Sequence, residues 1–178
     1  VAMLIGTTFA WFTDTASTGV NKIQAGNLDV KLMYSTDMQT WKEATDQTKL
    51  FDDNALWEPG YTQVVCLKIV NAGNLALKYE AGFSKNYTSN RGKNVNGDWY
   101  RVDNYLKIGT AETATKFANR EDVWSAIAAT EKTLAKDVML TDGWITLKAG
   151  EASEPFAVAI YMPTSVGNEA NASRHRPS

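Results

Sequence analysis

Residues able to do chemistry are scarce in this chain. It holds one His and one Cys among 178 residues. A Ser-His or Cys-His nucleophile pair needs an imidazole within hydrogen-bond reach. The sole imidazole, His175, lies in a polar stretch between Arg174 and Arg176. Two flanking cations disfavour a bound metal ion, so His175 reads as a solvated tail residue. An HExxH pair is absent, which removes the thermolysin type of zinc site. Cys66 sits among Val64, Val65 and Leu67. A thiol there is a small buried hydrophobe, with no neighbouring His or helix start to lower its pKa. A single Cys also excludes a disulfide framework within the chain. Asp52-Asp53-Asn54 offers oxygen donors for Ca²⁺, but three adjacent residues fall far short of an EF-hand loop and read as a loop or cap. Asn86-Tyr87-Thr88 and Asn171-Ala172-Ser173 match the glycosylation sequon, a triplet common by chance. Six Trp and seven Tyr raise the idea of sugar stacking. Trp11, Trp41, Trp57, Trp99, Trp124 and Trp144 are scattered through separate segments, so core or interface positions account for them better. The expectation is a protein that is not an enzyme and uses no cofactor or metal.

Composition narrows the class further. Lys+Arg is 18 against 20 for Asp+Glu, a formal charge of −2, without the basic excess of a nucleic-acid binder. At 44% hydrophobic and 21% charged residues, the chain can bury a core and is not of the disordered class. No run reaches the roughly 18 apolar residues that span a bilayer. Binding or structure is left, rather than catalysis.

The elements follow from periodicity. Leu28, Val30, Leu32 and Tyr34 alternate with Asp29, Lys31 and Met33, the period of a half-buried strand. Ser35-Thr36-Asp37 is a turn, and residues 38–44 return as a second strand. Pro59-Gly60 marks another turn. Residues 62–70 form the clearest strand, with Val65, Leu67 and Ile69 on one face and Val64, Cys66 and Val70 on the other, so both faces should be covered. Leu75, Leu77, Tyr79 and Phe83 predict a further strand, and residues 100–108 resume β character. Residues 119–136 predict the one helix, with Asn119 as N-cap, Glu121 and Asp122 in the first turn, and Val123, Trp124, Ile127, Ala128 and Leu134 on one stripe. Residues 144–148 and 154–162 close the series, the latter with Phe156, Val158 and Ile160 on one face. Many short strands and one inserted helix predict a mainly β chain, a jelly-roll-like β-sandwich with an extended N-terminal arm. Its core should hold Leu28, Val30, Leu32, Val65, Leu67, Ile69, Leu75, Leu77, Tyr79, Phe156, Val158 and Ile160. The expected division is an apolar arm or signal-peptide remnant at 1–12, a linker at 13–26, the sandwich at 27–165 and a polar tail at 166–178.

The first twelve residues, VAMLIGTTFAWF, carry no charge. One reading makes Val1–Ile5 the end of a secretory h-region, with Thr8 and Ala10 before a cleavage point that leaves Trp11 first. The preferred reading is an ordered, extended arm. With no initiator Met, both readings place the start within a longer precursor and the protein outside the cell.

Two blocks carry a family resemblance. Phe9-Ala10-Trp11-Phe12-Thr13-Asp14-Thr15, followed by Ala25-Gly26-Asn27-Leu28-Asp29-Val30, resembles the entry to the TasA/camelysin family. Pro59-Gly60, then Val65, Leu67 and Ile69, then Asn71-Ala72-Gly73-Asn74-Leu75-Ala76-Leu77, is similar to a second family block. With Ile160-Tyr161-Met162-Pro163, the likeness covers most of the chain. It implies an exported protein handled by a SipW-type signal peptidase. It also implies a jelly-roll-like subunit of extracellular biofilm-matrix fibres. In such fibres the N-terminal strand of one subunit completes its neighbour's sandwich. The donor residues would be Val1, Met3, Leu4, Ile5, Phe9, Trp11 and Phe12. The partner is then the chain itself in a head-to-tail homopolymer, with other matrix proteins as further candidates. The family's protease description is not carried over, for want of a catalytic set. One departure stands out: Pro163–Ala170 matches the family, but residues 171–178 are polar where the family continues into an apolar strand. Truncation, divergence and a strand supplied by a partner are all open. The alternative function is a monomeric secreted accessory or binding protein of the cell surface or matrix.

Overall fold

The computed structural model describes residues 3–4, 10–14, 20–24, 29–45, 47–52, 57–85, 92–93, 96–134 and 137–167. The chain is mainly β. Its strands are β1 (Met3–Leu4), β2 (Ala10–Asp14), β3 (Val20–Gln24), β4 (Val30–Ser35), β5 (Lys42–Ala44) and β6 (Thr62–Asn71). There follow β7 (Leu77–Tyr79), β8 (Ala81–Lys85), β9 (Gly92–Lys93) and β10 (Trp99–Tyr100). After a 3₁₀ turn at Val102–Asn104 come β11 (Lys107–Glu112), helix α1 (Arg120–Ile127), β12 (Lys132–Thr133), β13 (Val138–Met139), β14 (Ile145–Leu147) and β15 (Phe156–Tyr161).

Six strands form one sheet in the order β12-β11-β15-β6-β4-β5. All its ladders are antiparallel. The period-2 pattern fixes its register, because a slip by one residue would turn the core face outward. Thus Val158 pairs with Val65, Leu67 with Tyr34, and Ile69 with Leu32. The β4–β5 hairpin turns through the Asp37 carboxylate, which accepts from the backbone N–H groups of Gln39 and Thr40 at 2.8 and 2.7 Å. A second sheet runs β1-β3-β2-β8-β13, and β7 pairs with β14. One buried cluster joins these layers. It takes Leu32, Val65, Leu67, Ile69, Ile108, Val158 and Ile160 from the six-stranded sheet, Leu77, Tyr79 and Leu147 from β7 and β14, and Ala81, Phe83 and Val138 from β8 and β13.

The opposite face of the six-stranded sheet carries α1. Val123 and Ile127 are buried against Ala159 and Tyr161, with Val64, Ala111 and Trp124 packed around them. Asn119 caps the helix, its side chain accepting from the Asp122 N–H at 2.9 Å. The approach is close enough to require Gly109, where a Cβ would lie 2.8 Å from Ile127 Cβ.

Several expectations need correction. The helix ends at Ile127, not at 136. Thr130 Oγ1 accepts from the Thr110 N–H at 2.9 Å and donates to the Thr110 carbonyl at 2.8 Å. That side chain stands in for a strand partner and feeds the backbone into β12, so Leu134 joins the main core rather than the helix stripe. Leu75 is 62% exposed, because residues 72–76 connect β6 to β7 and the strand begins only at Leu77. The strand expected over 75–83 divides at Glu80. β7 pairs with β14, and β8 with β2 and β13. Phe156 is partly buried against the core. Leu28 lies outside the described residues. Strand pairing also runs through the stretch read as a linker, where Thr13 and Asp14 belong to β2 and residues 20–24 form β3.

Candidate functional site

The most suggestive geometry lies along β8. Alternation puts Ala81 and Phe83 inward, both almost wholly buried, and Phe83 meets Phe51 edge to face with ring centroids 6.3 Å apart. One flank of the strand is taken by β13 and the residues after it. Val138 pairs with Phe83 and Met139 with Gly82. The Ala81 N–H donates to Thr141 Oγ1 at 3.0 Å, and the Ala81 carbonyl accepts from the Leu140 and Thr141 N–H groups at 2.8 and 3.2 Å. The other flank is open to a strand, and β2 fills it in parallel, Ala10 to Asp14 pairing with Ala81 to Lys85. A sheet edge is a row of backbone donors and acceptors that any extended segment in register can satisfy.

The expected donor residues fall unevenly on this geometry. Trp11 and Phe12 lie in β2, opposite Gly82 and Phe83 on one side and Lys22 and Asn21 of β3 on the other. Met3 and Leu4 form β1, parallel to β3 through Ile23 and Gln24. Val1, Ile5 and Phe9 lie outside the described residues. Sequence reasoning did not find β8 as the partner of residues 10–14. The signal was the short, small-residue step Ala81-Gly82 after Glu80, where the backbone changes partners.

A second constellation is structural. Asn71 is fully buried at the end of β6. Its Nδ2 faces the carbonyl oxygens of Leu75, Lys148 and Leu147 at 2.7, 3.1 and 3.3 Å, and its Oδ1 accepts from the Gly73 N–H at 3.1 Å. Its own N–H donates to the Glu151 carbonyl at 2.8 Å. One amide therefore ties the 72–76 connection to the end of β14. That connection also holds the start of β4, since the Ala72 N–H donates to the Asp29 carbonyl at 2.8 Å.

The helix face carries the third. Trp124 stacks on Tyr161 at 5.3 Å, and its Nε1 donates to Thr62 Oγ1 at 2.9 Å. The Arg120 guanidinium lies 5.2 Å over the Trp124 ring, and Arg120 also donates to the Gly60 carbonyl at 3.3 Å. Tyr161 donates to Glu131 at 2.5 Å. Burial, then the hydrogen bond and charge of Glu131, push the Tyr161 hydroxyl up to about 12, so it stays a proton donor at neutral pH. Burial likewise pushes the Cys66 thiol up, away from the thiolate a nucleophile needs.

Of the remaining oxygen-ligand, sequon and His candidates, Asp52 is the one among the described residues. The Asp52 N–H donates to Gln63 Oε1 at 2.7 Å, and Gln63 Nε2 donates back to the Asp52 carbonyl at 2.9 Å. Asp53, Asn54, Asn86, Asn171 and His175 lie outside the described residues. Among the described residues, no group of three or more His, Cys, Asp or Glu could hold a metal ion, and no helix is long and apolar enough to cross a membrane. The exposed Trp99 and Trp144 lie on separate elements, β10 and the segment before β14. Comparison with family models, with curated proteins and with solved structures finds no match.

Proposed function

We propose that the chain is the structural subunit of an extracellular, biofilm-matrix type of filament, assembled by N-terminal donor-strand exchange. The observation that carries the reading is the β2–β8 ladder. The N-terminal segment is held to the second sheet as an added strand, on an edge that a segment of another chain could fill equally well. When the donor comes from a neighbour, the contact is head-to-tail and does not close, which gives a filament. The uncharged, apolar character of residues 1–12 fits a segment that must always be covered. The TasA/camelysin-like blocks support the same reading, and the proposal includes export from the cell and a jelly-roll-like sandwich built on the two larger sheets. The chain itself is the partner, and the proposal assigns it no catalytic role. Negative-stain microscopy of the purified full chain tests it. Long, regular filaments are expected. Monodisperse particles at all concentrations would turn the assignment to a monomeric surface or matrix accessory protein.

A further inference from the structure

Resting on that reading, we infer that the exchanged unit is not a single arm strand but a three-stranded module, β1, β2 and β3 together, passed to a second copy of this chain. Three observations on the backbone lead there. First, β2 and β3 form an antiparallel hairpin, Trp11 opposite Lys22, Phe12 opposite Asn21 and Thr13 opposite Val20, and β1 adds to β3. The N-terminal strands thus satisfy one another. Second, among the described residues the one strand ladder joining this module to the rest of the fold is β2–β8. That ladder has five paired positions and is parallel, the less stable polarity per residue. Peeling the module away breaks that one ladder and leaves the internal ladders whole. Extracting β2 alone would also break the hairpin. Third, the chain is placed on both sides of a short connection. Gln24 ends β3, and Asp29 is pinned by the Ala72 N–H at 2.8 Å beside the Asn71 turn.

Only residues 25–28 separate these fixed points in the sequence, a reach of at most about 18 Å from Gln24 to Asp29. The accepting body must therefore sit directly against the donating one. Repeats joined in this way touch along their length, instead of hanging as beads on a long linker. In the isolated chain the module occupies its own β8, so the monomer is self-capped. Growth requires each module to leave home and dock on the next copy, the low-cost route of an element exchanged between identical protomers.

The test uses full-length chains. One variant carries Thr13→Cys and another Ser84→Cys, positions directly paired across β2 and β8, where neighbouring strands lie about 4.8 Å apart, a spacing a disulfide can bridge. Mixed and exposed to oxidised glutathione, they are expected to give an interchain cross-linked species that neither gives alone. Cys66 is buried and stays out of the reaction. Two double variants then separate module from strand, with oligomers measured by light scattering. Thr13→Cys with Ser84→Cys in one chain staples the module to its own body and should abolish oligomers until reduced. Thr13→Cys with Val20→Cys staples β2 to β3 and should leave oligomers in place. If this second staple abolishes oligomers as the first does, a single strand is the donor and the module is wrong. Filaments without any interchain cross-link would overturn exchange at β8 while leaving a filament subunit. Cross-linking without filaments would leave the exchange and remove the filament.

Discussion

Asn71 offers the sharpest test of how the fold holds the start of β4 and the end of β14. Replacing it with Ala removes the two Nδ2 hydrogens and the Oδ1 acceptor. Each net hydrogen bond contributes about 1 kcal/mol, and a carbonyl left buried without a donor costs about 1–3 kcal/mol. Leu147 is buried, so its carbonyl cannot turn to water freely, whereas those of the exposed Leu75 and Lys148 can. The expected loss for Asn71→Ala is about 4–6 kcal/mol in urea melts at pH 7. Asn71→Asp keeps the shape but sets a buried carboxylate against three carbonyl oxygens. Its folded pKa must therefore rise above the unfolded value. The sign follows: the variant is least impaired below the unfolded carboxylate range, where a protonated carboxyl can donate. It loses stability as pH rises through the raised folded pKa. Asp should be worse than Ala at pH 7, and the gap should shrink at pH 4. A loss below about 1 kcal/mol for Ala, or an Asp variant equal to wild type at pH 7, would refute the claim that this amide is the donor hub.

Other outcomes follow from the same geometry. Leu67→Ala, at 1% exposure in the main cluster, should cost about 2–5 kcal/mol in denaturant melts, and a loss under about 1 kcal/mol would mean the sheet's faces are reversed. Gly109→Ala should push α1 off the sheet and cost about 1–3 kcal/mol, visible as a change in Trp124 fluorescence; an unperturbed, fully stable variant would contradict the close approach. The Asp37 carboxyl is held below its ordinary value of 3.8 by the Thr40 N–H, then that of Gln39 and the Ser35 hydroxyl. Its contribution to the hairpin turn is thus present above the unfolded pKa and fades as pH falls through the folded one. An NMR titration should find Asp37 still ionised when most exposed carboxylates have protonated, and ordinary titration near 3.8 would break the argument.

Long alternating runs were legible in the sequence. Residues 62–70 and 154–162 became β6 and β15, the centre of the six-stranded sheet, because period-2 alternation and burial on both faces leave one solution. The Asn119 cap and the Val123–Ile127 contact were legible for the same reason, as local chemistry with a fixed spacing. Misreadings came where tertiary contacts override local pattern. Thr130 is compatible with a helix on the stripe alone, but its hydroxyl is worth more bridging Thr110, so the helix stops. Leu75 fits the alternation but belongs to the turn that Asn71 organises. Of the candidate site, the apolar composition of residues 1–12 was visible in the sequence. The place of residues 10–14 beside β8 was not, because strand pairing between Ala10 and Ala81 is a contact that no local periodicity encodes.

Deleting residues 1–12 removes β1 and most of β2 and tests the central proposal most directly. The truncated and full-length chains are compared by negative-stain microscopy under identical conditions, with circular dichroism as the check on folding. The account predicts filaments from the full chain, and from the truncated chain a folded β-rich particle that forms none. Filaments of normal appearance from the truncated chain would contradict it.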